Sequence, residues 1–266
     1  MKPLSILFLS ILCISCVSEK KDTTSETENI PPKIQRPVAA DNGKFFNRSS
    51  LRMMYGGEDS TQHFDVSNLT LQESQFHYGI GREAFPALLA PEFISIEAAD
   101  TIWNDSTRFL VGSLNGETKA YSVPDLTHHE IVNDSLGGRP VMAAYCVLAD
   151  LGAIYERDYN GKLLTFGLSG YTYFDEQVWD GLDGFVFWDR ETESLWWPLI
   201  GKAVSGPLEG VVLFELDQQY WEDISWKEVK EKYPDVKVLA SGQDFERPTS
   251  WPKYGDVQSL VEQFRK

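Results

Sequence analysis

The stretch from His129 to Cys146 carries the residues of this chain that are best suited to chemistry. It places a histidine, two carboxylates, an asparagine and a cysteine around the pair Gly137-Gly138. An imidazole that contacts a thiol lowers the pKa of the thiol and so activates it as a nucleophile. His129 and Cys146 are therefore candidate catalytic residues of a thiol-dependent enzyme, or two candidate ligands of a metal ion.

The position of the turn decides whether these two side chains meet. If Gly137-Gly138 forms a two-residue turn, the strands pair Leu136 with Arg139 and His129 with Cys146. Directly opposed Cβ atoms lie about 4.5–5.5 Å apart. A four-residue loop would keep this register, whereas a three- or five-residue loop would place the two side chains on opposite faces. The alternative is that Cys146 packs as a small apolar side chain and that His129 is hydrogen-bonded to the backbone.

Turn-forming dipeptides divide the middle of the chain into three predicted hairpins, since Asn-Gly is a strong hairpin signal. The predicted strand pairs are 109–114 with 117–123, 129–134 with 140–146, and 152–158 with 162–168. Further strand-like runs cover 185–188, 195–199, 211–216 and 236–239. We therefore expect a mainly β fold, in which an antiparallel meander forms a sandwich or barrel-like sheet with a few short peripheral helices.

Three short helices are predicted at the periphery. Residues 95–100 can form a single turn. Ser225 and Glu228 match a capping box, and Pro234 should end the helix that they begin. A third, amphipathic helix is expected after Asp256, because four apolar residues share one helical face there: Val257, Leu260, Val261 and Phe264.

The first 16 residues have the features of a targeting segment. Lys2 precedes an apolar run, residues 4–14, that is too short to span a bilayer. The run ends in Cys13-Ile14-Ser15-Cys16, which resembles a bacterial lipobox and makes Cys16 the candidate lipidation site. The alternative is an ordinary secretory signal that is cleaved near Ser15 or Ser18. The expected location is the cell envelope, with the protein lipid-anchored on the periplasmic or outer-membrane surface.

Composition predicts a tether followed by one domain. Residues 17–42 are rich in Ser, Thr, Glu and Pro and cannot bury enough apolar surface to fold, whereas residues 43–266 form a single mainly β domain. The formal charge of −16 argues against a nucleic-acid partner, whose phosphates would be repelled. The membrane, a glycan or another envelope protein remain as expected partners.

The order of the motifs in this region resembles an exported bacterial and archaeal family, domain of unknown function 3179. The resemblance covers roughly Phe85 to Tyr254. The segments that carry it include Asn115-Gly116-Glu117, His129-Glu130-Ile131-Val132-Asn133-Asp134, Gly137-Gly138, Tyr145-Cys146, Gly167-Leu168-Ser169-Gly170, Asp189-Arg190-Glu191-Thr192, Trp196 and Gly206-Pro207-Leu208. The further candidate binding residues lie within these motifs: Glu130, Asn133, Asp134, Ser169, Asp189, Arg190 and Trp196.

The departures from the family pattern limit the chemistry that the resemblance implies. Family members commonly carry Tyr-Cys-Pro-Leu-Cys-Gly, and some have selenocysteine at the first cysteine, which implies redox chemistry. In this chain Ala149 stands at the second cysteine and Asp150 at the glycine. If Cys13 is removed and Cys16 acylated, Cys146 is the only free thiol, so a dithiol cycle within the chain is excluded.

Three hypotheses follow from these residues. The first is a binding or structural module of the cell envelope that has lost a dithiol motif. The second is a thiol- or metal-dependent enzyme that uses Cys146 and His129. The third is a carbohydrate-binding domain that uses the aromatic and acidic side chains of residues 171–197, although alternate aromatics of a strand also fill a core. The sequence identifies no cofactor and no oligomeric state.

Overall fold

Antiparallel β-strands dominate the computed structural model, which describes residues 41–181 and 183–243. The strands are β1 (Asp41–Asn42), β2 (Phe45–Arg48), β3 (Leu51–Met54), β4 (Phe64–Asp65), β5 (Phe76–Tyr78), β6 (Phe93–Ile94), β7 (Arg108–Leu114), β8 (Glu117–Ser122), β9 (Ile131–Leu136), β10 (Arg139–Cys146), β11 (Leu151–Glu156), β12 (Asp158–Tyr159), β13 (Lys162–Leu163), β14 (Phe166–Tyr173), β15 (Gly184–Asp189), β16 (Leu195–Trp197), β17 (Lys202–Ser205), β18 (Trp221–Ser225) and β19 (Lys237–Leu239). The helices are α1 (Ile96–Ala99), α2 (Val123–His129) and α3 (Trp226–Lys232), with short 3-10 turns at Ser60–Gln62, Glu73–Gln75, Pro198–Ile200 and Gln218–Tyr220.

The strands form several packed sheets, which gives the described residues a sandwich-like arrangement without a closed barrel. The largest sheet has the order β1-β5-β14-β15-β16-β17, and a five-stranded sheet has the order β18-β7-β8-β19-β6. Between their strands in the chain lies a three-stranded sheet, β11-β10-β9. Neighbouring strands are antiparallel except for β8 and β19. The prediction of a mainly β, antiparallel, sandwich-like fold is confirmed.

The predicted turns and the register of the central hairpin agree with the structure. Gly137 and Gly138 have φ values of 55° and 79°, and such a two-residue turn needs a positive φ at both positions. Leu136 pairs with Arg139, as predicted. The predicted meander is nevertheless divided, because β7 and β8, β9 to β11, and β14 belong to three different sheets.

Two of the predicted helices are present, and one helix was not predicted. Ser95 caps α1, and Ser225 and Glu228 form both halves of the capping box of α3. Helix α2 was missed, although its Ser122 cap accepts a hydrogen bond from the backbone N–H of Asp125. Among the described residues no helix is long and apolar enough to cross a membrane. The predictions for residues 1–16, including Cys16, for most of the tether, and for the helix after Asp256 lie outside the described residues.

The core that matters for the site joins the three-stranded sheet to the large sheet. Side chains of β10 and β11, among them Cys146 and Tyr155, belong to the same buried cluster as Phe166, Phe187 and Trp196 of the large sheet. Cys146 therefore lies at the contact between two sheets rather than on a free hairpin.

Candidate active site at Cys146

The predicted pairing of His129 with Cys146 is wrong. Ser122 caps helix α2, and His129 is the last residue of this helix rather than part of a strand. Glu130 ends the helix with a left-handed φ of 53°. Strand β9 begins only at Ile131, so no partner of β9 lies opposite Cys146. The Nδ1 atom of His129 instead hydrogen-bonds the backbone carbonyl of Pro86 at 2.7 Å. The imidazole thus holds a loop, as in the alternative that the sequence left open.

Cys146 is the last residue of β10, and its sulfur is surrounded by backbone groups. The side chain is only 3% exposed. The sulfur accepts hydrogen bonds from the backbone N–H groups of Leu148, Ala149 and Phe185, the last with an N···S distance of 3.3 Å. The thiol in turn contacts the carbonyl of Asp183, with an S···O distance of 3.8 Å. The loop after Cys146 thus directs the amides of Leu148 and Ala149 at the sulfur.

Glu130 is the titratable group whose charge raises the pKa of this thiol. Its side chain is 9% exposed, and its carboxylate accepts a hydrogen bond from the backbone N–H of Val147. Burial raises the pKa of Glu130 to about 7. Burial, and then the Glu130 carboxylate, raise the pKa of Cys146 to about 12, against the lowering effect of the three amides. At neutral pH the thiol is therefore protonated.

A cleft of about 270 Å³ opens above Cys146. Buried residues form its floor: Ala144, Cys146, Ala153, Tyr155 and Phe185. Half-buried and exposed residues form its rim: Ala149, Leu151, Pro198, Leu199, Glu215, Gln218 and Trp221. The cleft is mainly apolar, and its polar groups are few, as is typical of sites for small ligands.

Two further titratable residues line the cleft, Tyr155 in its floor and Glu215 in its rim. Burial raises the pKa of Tyr155 well above its usual value, and the charges of Glu215 and Cys146 add to the effect. Partial burial also raises the pKa of Glu215. The backbone of Glu215 pairs with that of Tyr155 through an isolated β-bridge, which places Glu215 in the lining of the cleft. The rim therefore offers acceptors to a polar group of a ligand.

Asn133 and Asp134 do not cap the hairpin turn. The amide of Asn133 donates to the carbonyl of Phe166 at 2.8 Å and accepts from its N–H at 2.9 Å, so it joins β9 to β14. Asp134 accepts two hydrogen bonds at 2.9 Å from Lys119 and one at 2.8 Å from Tyr121. Both side chains are fully engaged in linking strands.

The other candidate binding residues also lie in the core. Ser169 donates to the carbonyl of Val186 across an irregularity in the β14–β15 pairing. Asp189 accepts from the indole of Trp196 at 2.8 Å, and burial raises the pKa of this carboxyl to about 7. Arg190 binds the Glu83 carboxylate through two nitrogens.

The aromatic side chains of residues 171–197 mostly fill the core. The buried ones are Tyr171, Tyr173, Phe185, Phe187, Trp188, Trp196 and Trp197. Trp179 is half-buried, so this segment does not present the pair of exposed rings that the hypothesis for residues 171–197 requires. Within residues 41–181 and 183–243, no group of three or more His, Cys, Asp or Glu side chains is arranged to hold a metal ion.

Sequence reasoning missed most residues of the cleft. Tyr155, Glu215 and Trp221 belong to no motif, and they meet only because three distant segments pack together. The end of α2 carried a usable signal, since Ser122, Pro124 and Asp125 match the start of a capped helix. That signal would have removed His129 from the strand.

The comparisons with known proteins agree with the resemblance in the sequence. Residues 82–262 match the family model described as protein of unknown function (DUF3179). No curated protein and no solved structure matches the chain significantly. The matched region contains the cysteine loop, Glu130 and every residue that lines the Cys146 cleft. Because the match covers more than half of the 266 residues, the chain belongs to the DUF3179 family.

Proposed function

We propose that this domain is a binding module of the cell envelope that holds one small, mainly apolar ligand in the Cys146 cleft. The observation that carries the proposal is the cleft itself, whose floor of buried side chains surrounds the family's cysteine. Its volume of about 270 Å³ suits a ligand no larger than a few fused or linked rings. The rim residues Glu215 and Gln218 would orient a donor group of the ligand.

The protonation of the Cys146 thiol supports a binding role over nucleophilic catalysis. A thiol with a pKa of about 12 is protonated at neutral pH and is a weak nucleophile. Ala149 removes the second thiol that a dithiol cycle needs. Cys146 then acts as a small, polarisable part of an apolar floor.

Binding of a neutral fluorescent probe, N-phenyl-1-naphthylamine, tests this proposal on the full chain in detergent. We expect one probe per protein and an affinity that falls at least tenfold in Ala149→Phe, whose ring occupies the cleft. The matched control is Val147→Phe in the same loop, because Val147 is 40% exposed and does not line the cleft. Equal probe affinity in the two variants, or no stoichiometric binding to the wild type, would contradict the proposal.

The envelope location rests on the sequence of the first 16 residues. We propose that lipid on Cys16 holds the domain at a membrane surface, since a second acyl chain makes such anchoring stable. Detergent-phase partitioning of protein made in a bacterial host should place the wild type in the detergent phase and Cys16→Ser in the aqueous phase. A wild type that stays in the aqueous phase would argue for an ordinary secretory signal.

A second candidate function is favoured by the amides and the carboxylate around the sulfur. In a thiol-dependent enzyme, Cys146 would attack one sulfur of a small disulfide while the Glu130 carboxylate takes the thiol proton. A mixed disulfide forms on Cys146, and the other half of the substrate leaves as a thiolate. A low-molecular-weight thiol must then reduce the mixed disulfide, because Ala149 stands where a resolving cysteine of the same loop would be.

Reaction with glutathione disulfide separates the two candidates. The enzyme hypothesis predicts a mixed disulfide on the Cys146 peptide, formed more slowly in Glu130→Gln and at an unchanged rate in Glu176→Gln, whose side chain is exposed. The binding hypothesis predicts that Cys146 stays reduced in all three proteins. Peptide-resolved mass spectrometry reads the result directly.

A further inference from the structure

A second cleft, which shares no lining residue with the Cys146 cleft, lies between the turn at Asn160 and the loop 209–214. Its volume is about 420 Å³, within the usual range of sites for small ligands. Neither the family motifs nor the function proposed above uses it. Its most prominent side chains are Phe214 and Val212, which are 47% and 54% exposed.

Phe214 presents a ring that is exposed but firmly supported. Its ring centroid lies 5.3 Å from that of Tyr159, at an angle of 36°. Tyr159 is buried and in turn packs on Trp196, with centroids 5.7 Å apart. The carbonyl of Phe214 also accepts a hydrogen bond from the N–H of Glu156 at 2.7 Å. The chain therefore fixes this ring as a platform, although about half of its surface faces solvent.

Polar groups and open space lie beside the platform. Glu209 is half-buried, and its carboxylate has no ion pair and no hydrogen bond with the rest of the described chain. Asn160 is a further polar residue of the lining. Gly210 has a φ of 83° and no heavy atom within 4 Å of the position of a Cβ, so a ligand can approach its backbone.

We infer that the Phe214 cleft binds one neutral or N-acetylated hexose residue of a glycan. The negative face of an aromatic ring attracts the C–H groups on one face of a sugar ring. Sugar hydroxyl groups donate hydrogen bonds to carboxylates, which matches Glu209. The formal charge of −16 and the Glu209 carboxylate disfavour acidic sugars.

Calorimetric titration of the full chain tests this inference, in a polyoxyethylene detergent that carries no sugar. The probes are the β-1,4-linked tetramers of glucose, of N-acetylglucosamine and of glucuronic acid. We expect at least one of the two neutral tetramers to bind with a Kd below about 1 mM, and the acidic tetramer to bind at least tenfold more weakly. Saturation-transfer NMR should show contact with the C–H face of one ring.

Substitutions locate the sugar. Phe214→Ala should weaken binding at least tenfold, while Phe214→Tyr, which keeps the platform, should bind as the wild type does. Leu163→Ala is the matched control, because Leu163 is 50% exposed on β13 and does not line the cleft. Val212→Arg fills the cleft from its exposed edge and serves if Phe214→Ala unfolds. Binding of neither neutral tetramer, or binding that survives both Phe214→Ala and Val212→Arg, would overturn the inference.

Discussion

Glu83 and Glu130 are both buried, and both have a left-handed backbone, with φ of 52° and 53°, yet only one carboxylate is neutralised. Arg190 binds Glu83 through its Nε at 2.9 Å and a terminal nitrogen at 2.5 Å. Glu130 accepts a backbone N–H of Val147 and has no ion pair among the described residues. Its pKa of about 7 reflects this difference.

The comparison separates a structural carboxylate from one that is kept reactive. A buried charge with a bidentate partner can hold two segments together at little net cost. A buried carboxylate without a counter-charge costs stability at neutral pH, and such groups concentrate at functional sites. The Glu130 charge acts on Cys146, whose pKa it raises, which is why we propose the Cys146 cleft as the functional site.

Removal of the cation from the Glu83 pair should have the largest effect. Arg190→Met leaves the Glu83 carboxylate buried without its bidentate partner, and we expect a loss of about 3–5 kcal/mol in the free energy of unfolding. Chemical denaturation measures it. The double variant Glu83→Gln/Arg190→Met should recover much of the loss, and a loss below about 1 kcal/mol in the single variant would show that the pair is not structural.

The pH dependence of stability should reveal the unpaired glutamate. The pKa of Glu130 is about 7 in the folded state, against an ordinary value of 4.5. Between pH 4.5 and pH 7 the folded state therefore binds more protons than the unfolded state does. Stability should therefore fall as the pH rises from 4.5 to 7, by at most about 3 kcal/mol from this group. Glu130→Gln should flatten the profile.

Asp189, whose pKa is also raised to about 7, contributes a similar slope and should leave part of the profile in that variant. Urea denaturation at pH 5 and pH 8 gives the two end points. Glu176→Gln is the control, since an exposed carboxylate should not change the slope. Identical profiles of stability against pH for Glu130→Gln and the wild type would show that Glu130 does not have a raised pKa in the folded state.

A smaller effect is expected on the alkylation rate of the Cys146 thiol in Glu130→Gln. The Glu130 carboxylate adds to burial in raising the pKa of Cys146, so Glu130→Gln should lower that pKa. We expect alkylation of Cys146 at pH 8 to become faster by about a factor of three to ten. Peptide-resolved mass spectrometry follows Cys146 alone. An unchanged rate would mean that the two groups are not coupled.

The smallest effect is expected at His129. His129→Asn loses the hydrogen bond to Pro86 and should cost about 0.5–1.5 kcal/mol in the free energy of unfolding. The alkylation rate of Cys146 should not change, because the imidazole does not contact the sulfur. A slower reaction would revive the catalytic pair that the sequence suggested.

Local signals predicted some elements of this fold and missed others. The register of the central hairpin followed from Gly137-Gly138, and the helix at Ser225 from its capping box, because both depend on neighbouring residues. The hairpin could not be extended to His129, because the Ser122 cap begins a competing helix that ends at Glu130. A local helix signal therefore outweighed the strand pattern.

The site depended on contacts that a sequence does not display. The cleft combines the loop after Cys146 with residues near Pro198 and Trp221, which no spacing relates. The assumed hairpin register gave His129 as the partner of Cys146, and the helix that ends at Glu130 rules out this pairing. Glu130 was named only as a binding residue, since its burial and its raised pKa arise from packing.

The most direct test of the cleft is the rate at which methyl methanethiosulfonate modifies Cys146 with and without saturating N-phenyl-1-naphthylamine. A ligand on the floor of the cleft must cover the sulfur, so we expect the probe to slow the modification at least tenfold in the wild type. Ala149→Phe should show no such protection by the probe. A rate that saturating probe leaves unchanged in the wild type would place the bound probe elsewhere and contradict the assignment of the Cys146 cleft as the binding site.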